Sequence, residues 1–227
     1  MALALTAGFA RTSLCSAINR IGSQEEAVER GKMIHDNILT IDTHVDIDID
    51  PASKILDLGS CLEKRKVDLV KMKEGGLDGV FFAVWVPQKG LTDRGYAAAY
   101  KQAMTLFRAI HRMCEELNSD MIELALSPDD VYRIAGKGKL VAMIGVENGY
   151  PLGMDITRVK EFYDLGARYI TLTHMGYNQL GDSSNASKGI PAQKYGGLTD
   201  FGRQVVQEMN RSPLSVLRTS FPRKGQD

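Results

Sequence analysis

The long apolar runs of this 227-residue chain are uninterrupted rather than alternating, and helical periodicity separates one run from the next. Leu77–Val86 (LDGVFFAVWV), Lys139–Glu147 (KLVAMIGVE) and Arg168–His174 (RYITLTH) are too continuously apolar to be half-solvated strands. Such runs occur where both faces of a parallel sheet are covered by helices. Two shorter strands are predicted at Ile38–His44 and Ile122–Leu126. Between them, helices are expected over Gln24–Asn37, over Val67–Glu74 with a Gly75-Gly76 stop, over Ala97–Asn118, after the Ser127-Pro128 opening, over Asp155–Leu165 before Gly166, and over Leu198–Asn210 behind Thr199 and Asp200. Ala99, Ala103, Leu106, Phe107, Ile110, Met113 and Leu117 recur at three and four, so they form the buried stripe of the longest helix.

Strand and helix therefore alternate four or five times. No GxGxxG follows the first strand, which removes the main signal for a dinucleotide fold. Polar side chains gather at strand ends, as at the carboxyl-terminal rim of a (β/α)8 barrel. A full barrel takes ~250 residues or more. The expected fold is an incomplete TIM barrel of the α/β class, about its first half, beginning near residue 23.

The run Ile38–Asp50 (ILTIDTHVDIDID) opens apolar and becomes a row of metal-capable groups. If the extended backbone held throughout, Asp42, His44, Asp46, Asp48 and Asp50 would share one face. That much charge cannot be buried unpaired, so the run reads as a strand end opening on a polar cleft, a metal, or a solvated loop.

Balanced charge, 28 basic against 28 acidic residues, supplies no field for nucleic acid or an anionic membrane. No segment approaches the ~18 apolar residues of a membrane span. Cys15, Cys61 and Cys114 show no CxxC spacing and are odd in number, against both a disulfide framework and a thiolate metal site. A metal would have to use carboxylates and the four histidines, His35, His44, His111 and His174. His35 and His111 lie off their helices' apolar stripes and are expected to be exposed. The opening MALALTAGFARTSLCSA resembles a signal-peptide core without its basic leader; the chain is exported if this is a signal remnant, and cytoplasmic otherwise.

His44, Asp46, Glu147 and His174 stand at the ends of three different strands. Oxygen and nitrogen ligands around an open position suit a hydrolytic zinc. Singly, each has a bland alternative: Glu147 is equally placed to cap the turn at Asn148-Gly149, and His174 to be a bonded core histidine.

In order along the chain, IDTHVDI, GGLDGVFFAVWVP, IGVENGYPLG, LGARYITLTHMGYNQLGDSS and GGLTDFGRQVVQEMNR closely resemble the membrane (renal) dipeptidase family of zinc metallopeptidases, from about Asn37 to Arg211. The resemblance implies a barrel with a two-zinc site that directs a metal-bound hydroxide at a dipeptide. His44 and Asp46 would match ligands of the first metal and Glu147 the carboxylate bridging both. His174 would match a histidine that binds substrate and stabilises the oxyanion, a role the residues alone do not separate from metal ligation. Asn148 and Tyr150 would line the substrate rim.

Family members continue into strands whose histidines complete the second metal, whereas no histidine follows His174 here. The tail from Ser212, with Pro213 and Pro222, departs from the pattern as a shifted frame or a truncation would, and a buried strand is not expected in it. At most one complete ligand set is then present. The sequence predicts an impaired zinc dipeptidase or, as the alternative, a non-catalytic remnant that binds one metal or a partner chain. Half a parallel barrel also leaves open sheet edges, which favour association with another chain, including a homo-oligomer.

Overall fold

The computed structural model describes residues 23–48 and 55–217. The expectations for the first 22 residues, including Cys15, and those for Asp50 and Pro222 lie outside the described residues. The chain divides into two compact units, Met1–Ile38 and Leu39–Asp227.

In the first unit, α1 (Gln24–His35) begins with a reciprocal cap: Ser23 Oγ accepts from the Glu26 N–H while the Glu26 carboxylate accepts from the Ser23 N–H. None of its residues is buried, and His35 is exposed as expected.

The second unit is built on six parallel strands: β1 (Ile41–Asp46), β2 (Gly79–Trp85), β3 (Ile122–Leu124), β4 (Leu140–Glu147), β5 (Ala167–Thr171) and β6 (Ser215–Leu217). They run in the order β1-β2-β4-β5-β6, with β3 sharing one edge of β4 with β5. Among the described residues β1 pairs only with β2 and β6 only with β5, so the sheet is an open path. This is the parallel α/β arrangement of a partial TIM-type barrel. The connecting helices are α2 (Leu69–Gly75), α3 (Asp93–Arg112), α4 (Pro128–Ala135), α5 (Thr157–Asp164) and α6 (Asp200–Arg211).

Local chemistry sets where these helices start and stop. Asp68, Thr92, Ser127 and Thr199 each accept a backbone N–H of the first turn, at Lys71, Gly95, Asp130 and Gly202. Gly76 ends α2 in the left-handed conformation, φ 66°, where a side chain would be strained.

The two faces of the sheet diverge in composition. Val80, Phe82 and Val84 of β2, with Ala142, Ile144 and Val146 of β4, belong to the main core together with Ala99, Ala103, Phe107 and Ile110 of α3 and Phe162 of α5. On the alternate positions of β4 a second cluster gathers Val141 and Met143 with Val131 and Ile134 of α4 and, partly buried, Phe81. Continuing that ladder by twos leads through Gly145 to Glu147. Apolar packing at one end of the strand thus gives way to a carboxylate at the other.

Three local expectations are corrected. The longest helix starts at Asp93 and passes into a π turn, Met113–Leu117, at whose end Leu117 is 37% exposed instead of continuing the buried stripe. His111 is half-buried: one ring nitrogen lies 2.9 Å from Glu115 Oε1 and the other 2.9 Å from the Leu165 carbonyl oxygen, so it ties α3 to the turn before β5. A strand does form after Pro213, with Ser215, Val216 and Leu217 registered against Tyr169, Ile170 and Thr171. Pro213 lies ahead of the paired residues and so withholds no ladder hydrogen bond.

Candidate metal centre

β1 delivers its ligand-type side chains through an irregularity. Asp42 pairs with Val80 and Val45 with Phe82, so β1 carries one residue more than β2 over that interval. Such a bulge bends the strand and re-aims its side chains. Asp42 folds back to accept the His44 N–H at 2.9 Å, and it stands apart from the metal-capable group formed by His44, Asp46 and Glu147. Asp42, His44 and Asp46 therefore do not act as one row, because the bulge breaks the alternation that would have aligned them.

His44, Asp46 and Glu147 converge. His44 Nε2 lies 3.5 Å from Asp46 Oδ1 and 3.3 Å from Glu147 Oε2. One ligand atom from each of the three falls within 4.8 Å of the others, the grouping among the described residues that could hold a metal. The other Glu147 oxygen, Oε1, is 3.1 Å from His174 Nε2. One carboxylate thus stands between two imidazoles, one from β1 and one from the segment after β5. Glu147 is well shielded, with a side chain 15% exposed, while Asp46 is open at 81%. Imidazole nitrogen and carboxylate oxygen are the donor types that zinc accepts, so this set suits one ion.

The bland reading of Glu147 as a turn cap is replaced by Asn148. That residue takes the left-handed conformation, φ 75°, and its Oδ1 accepts from the Tyr150 N–H at 3.2 Å. Asparagine tolerates this conformation better than most residues. Asn148 and Tyr150 do not line the rim: both are buried. Asn148 also bonds Thr171, Gln88 and Asn178, and the Tyr150 hydroxyl donates to the Gly90 carbonyl at 2.8 Å. Their polar atoms are spent inside the protein, which makes them supports of the rim.

The long connection from Leu172 to Thr199 is held by similar internal bonding. Asp182, 1% exposed, accepts the backbone N–H groups of Lys194, Tyr195 and Gly197. Burial alone would raise its pKa, but these bonds outweigh that and hold it below the usual value. Much of the MGYNQLGDSS motif, Asn178, Gln179, Asp182 and Ser183, is buried polar structure that shapes the loop carrying His174.

A cavity of about 380 Å³ opens beside the convergence, lined by Asp46, Ile47, Asp48, Ala83, Trp85, Glu147 and His174. Trp85 pairs in register with Glu147, is 40% exposed, and meets the His174 ring edge-on at 6.3 Å between centroids. Of the aromatics of β2, Phe82 is buried whereas Trp85 is not, because its position falls at the open end of the strand. A larger cavity of about 540 Å³, lined by Leu39, Ile41, Phe81, Met143 and others, lies towards the strand starts and holds no group of metal donors.

Sequence reasoning missed Tyr169 and Gly145. Tyr169 crosses from β5 over β4, its hydroxyl 3.2 Å from His44 Nδ1 and 3.3 Å from the Thr43 carbonyl oxygen. Burial first, then the carboxylates of Glu147, Asp46 and Asp42, push its phenol up to about 12, so it keeps its proton at neutral pH. The pairing of a tyrosine on one strand with a glycine on its neighbour was visible in the sequence only with the strand register in hand.

Residues 28–216 match the profile of the membrane dipeptidase family, peptidase family M19. The chain belongs to that family. Among its relatives, dipeptidase tcpJ of Claviceps purpurea is 35% identical over 153 residues, 66% of this chain and 35% of that protein. Dipeptidase 3 of Mus musculus is 31% identical over 153 residues, 67% of this chain and 29% of that protein. The chain therefore spans about a third of the length of these curated relatives. Its fold is shared with the probable dipeptidase PvdM from Pseudomonas aeruginosa, TM-score 0.76 at 22% identity over 85% of this chain and 49% of that one. A metallo peptidase from Rhodobacter sphaeroides, solved with a phosphinate mimic of the dipeptide L-Ala-D-Ala, matches at TM-score 0.63 and 21% identity, over 79% and 57% of the two chains.

Proposed function

We propose that this membrane dipeptidase family member carries the first-metal half of a zinc dipeptidase site, with His44, Asp46 and Glu147 as ligands and His174 facing the substrate. The observation that carries this reading is the position of Glu147, with one oxygen at His44 Nε2 and the other at His174 Nε2. A bound zinc would lower the pKa of water to ~7 and polarise the scissile carbonyl. The protein's own contributions are positional. Glu147 offers two separately directed oxygens, the arrangement a carboxylate needs to serve two ions. His174 places an N–H at the wall of the cavity, a donor of the type that meets charge developing on a carbonyl oxygen. Trp85 and Ile47 give that cavity an apolar wall for a side chain of a small peptide. Family membership supports the dipeptide as substrate, and the mimic bound to the R. sphaeroides neighbour is of that class.

The described residues gather one three-donor group, which favours one zinc per chain and little turnover by the isolated polypeptide. Metal content of the purified chain, measured with hydrolysis of simple dipeptides in zinc, tests this. About one zinc per chain with weak or no hydrolysis is expected. Two zincs with robust turnover would remove the impairment, and no retained zinc would leave a remnant that binds at most a partner chain.

Trp85 is the only tryptophan of the chain and lines the site, so it reports occupancy directly. Zinc titration is expected to change its emission saturably. A signal that stays flat while zinc binds would place the ion away from this cavity.

A further inference from the structure

We propose, resting on the metal-site reading above, that Tyr169 is a positioning residue that fixes the proton on His44 Nδ1 and so presents Nε2 to the ion. His44 Nε2 faces Asp46 and Glu147, so a ring that binds a metal there must carry its proton on Nδ1. Nδ1 lies 3.2 Å from the Tyr169 hydroxyl, which lies 3.3 Å from the Thr43 carbonyl oxygen. A carbonyl only accepts. A phenol that gives its one proton to Thr43 keeps lone pairs to receive Nδ1–H, and the opposite ring tautomer would compete with Thr43 for the phenol proton. The relay runs from His44 Nδ1–H to the Tyr169 oxygen, and from the Tyr169 O–H to the carbonyl of the residue preceding His44. It therefore ties the imidazole to the backbone of the β1 bulge that carries it.

The neighbouring strand is cut to admit this side chain. A Cβ at Gly145 would overlap the Tyr169 ring and hydroxyl, so glycine at that point of β4 allows the ring to lie across the strand towards β1. Phe81 supports the ring from β2, its centroid 5.3 Å away at 42°. Partners that orient the unbound nitrogen of a metal-ligating histidine commonly contribute 10–100-fold to metal affinity. A tyrosine present only to fill the core would contribute to folding and leave metal affinity alone.

The test compares the full chain with Tyr169→Phe and His44→Ala by zinc competition against a chelator, with melting of the metal-free proteins alongside. Tyr169→Phe keeps the ring and is expected to weaken zinc binding about 10–100-fold while the metal-free melting point stays close to wild type. In the zinc-loaded wild type labelled with ¹⁵N-histidine, His44 should show a protonated Nδ1 and a metal-shifted Nε2. That spectrum decides the matter even if the variant folds poorly. Undiminished zinc affinity in Tyr169→Phe while His44→Ala loses it, or an unprotonated Nδ1, would overturn the positioning role alone. Undiminished affinity in His44→Ala would overturn the metal-site reading itself.

Discussion

Glu147→Ala is expected to lower zinc affinity more than about 100-fold, beyond the 10–100-fold typical of losing a residue that merely orients a ligand. Among the three proposed ligands it is the most shielded, and its two oxygens lie 3.3 Å from His44 Nε2 and 3.1 Å from His174 Nε2. Alanine removes the direct donor and leaves the two imidazoles with nothing between them. Glu147→Gln keeps the shape and one carbonyl oxygen, and its affinity is expected to fall between the two. Thermal melting supplies an independent readout, because an ion present at 100 times its Kd stabilises a fold by about 2.7 kcal/mol. Wild type should gain melting temperature with zinc and Glu147→Ala should not. Metal-free melting should change little, since Glu147 sits at the open end of β4, outside the apolar clusters. An alanine variant that takes up zinc as tightly as wild type would move the site elsewhere.

Asp68→Ala is expected to produce the largest loss of stability, about 3 kcal/mol, as it removes both a helix cap and the buried carboxylate of a half-buried charge pair. Asp68 is fully buried. Its Oδ1 accepts the Lys71 N–H at 2.8 Å, its Oδ2 accepts the Leu62 N–H at 2.9 Å, and Lys71 Nζ stands 2.9 Å from Oδ2. Lys71 Nζ in turn donates to the carbonyls of Leu62 and Arg65, so the pair fastens the segment before α2 to its first turn. A melting point about 6–12 °C lower follows for a domain of this size.

The pH dependence has a definite sign. Burial alone would raise the Asp68 pKa, but the bonds from Leu62 and Lys71 outweigh it and lower the group from 3.8 to about 2. A carboxyl depressed in the folded state stabilises fully above its unfolded pKa, and that contribution is lost as pH falls through the folded value. The gap between wild type and Asp68→Ala should therefore hold from neutral pH down to about 4 and narrow towards 2. Urea unfolding at pH 7, 5 and 3 measures it. A gap that widens on acidification would contradict the assignment.

Strand placement was legible from the sequence because it follows from unbroken apolar runs bounded by turns, and β2 and β4 fall within two residues of where those runs predict. Helix starts were legible where a capping side chain announces them, as Ser127 before Pro128 and Thr199 before Asp200 do. His44, Asp46, Glu147 and His174 were legible as candidates because each breaks or ends an apolar run, where an ionisable group must have a partner or an opening. β6 was not legible, because three residues give too short a pattern and their pairing comes from β5.

What the sequence determined by itself, then, is the parallel α/β class, the positions of its strands and the identities of the four converging side chains. These depend on local periodicity and on the cost of burying charge, and both can be read one segment at a time. Only the tertiary structure decided that Asp42 turns back onto the His44 N–H, that Asn148 and Tyr150 are buried with their polar atoms bonded inside, and that Trp85 faces the cavity. It alone showed Tyr169 crossing Gly145 to reach His44. Each of these depends on the register between strands, where a single extra residue in β1 redirects every side chain after it, and register is set by neighbours far away in the chain.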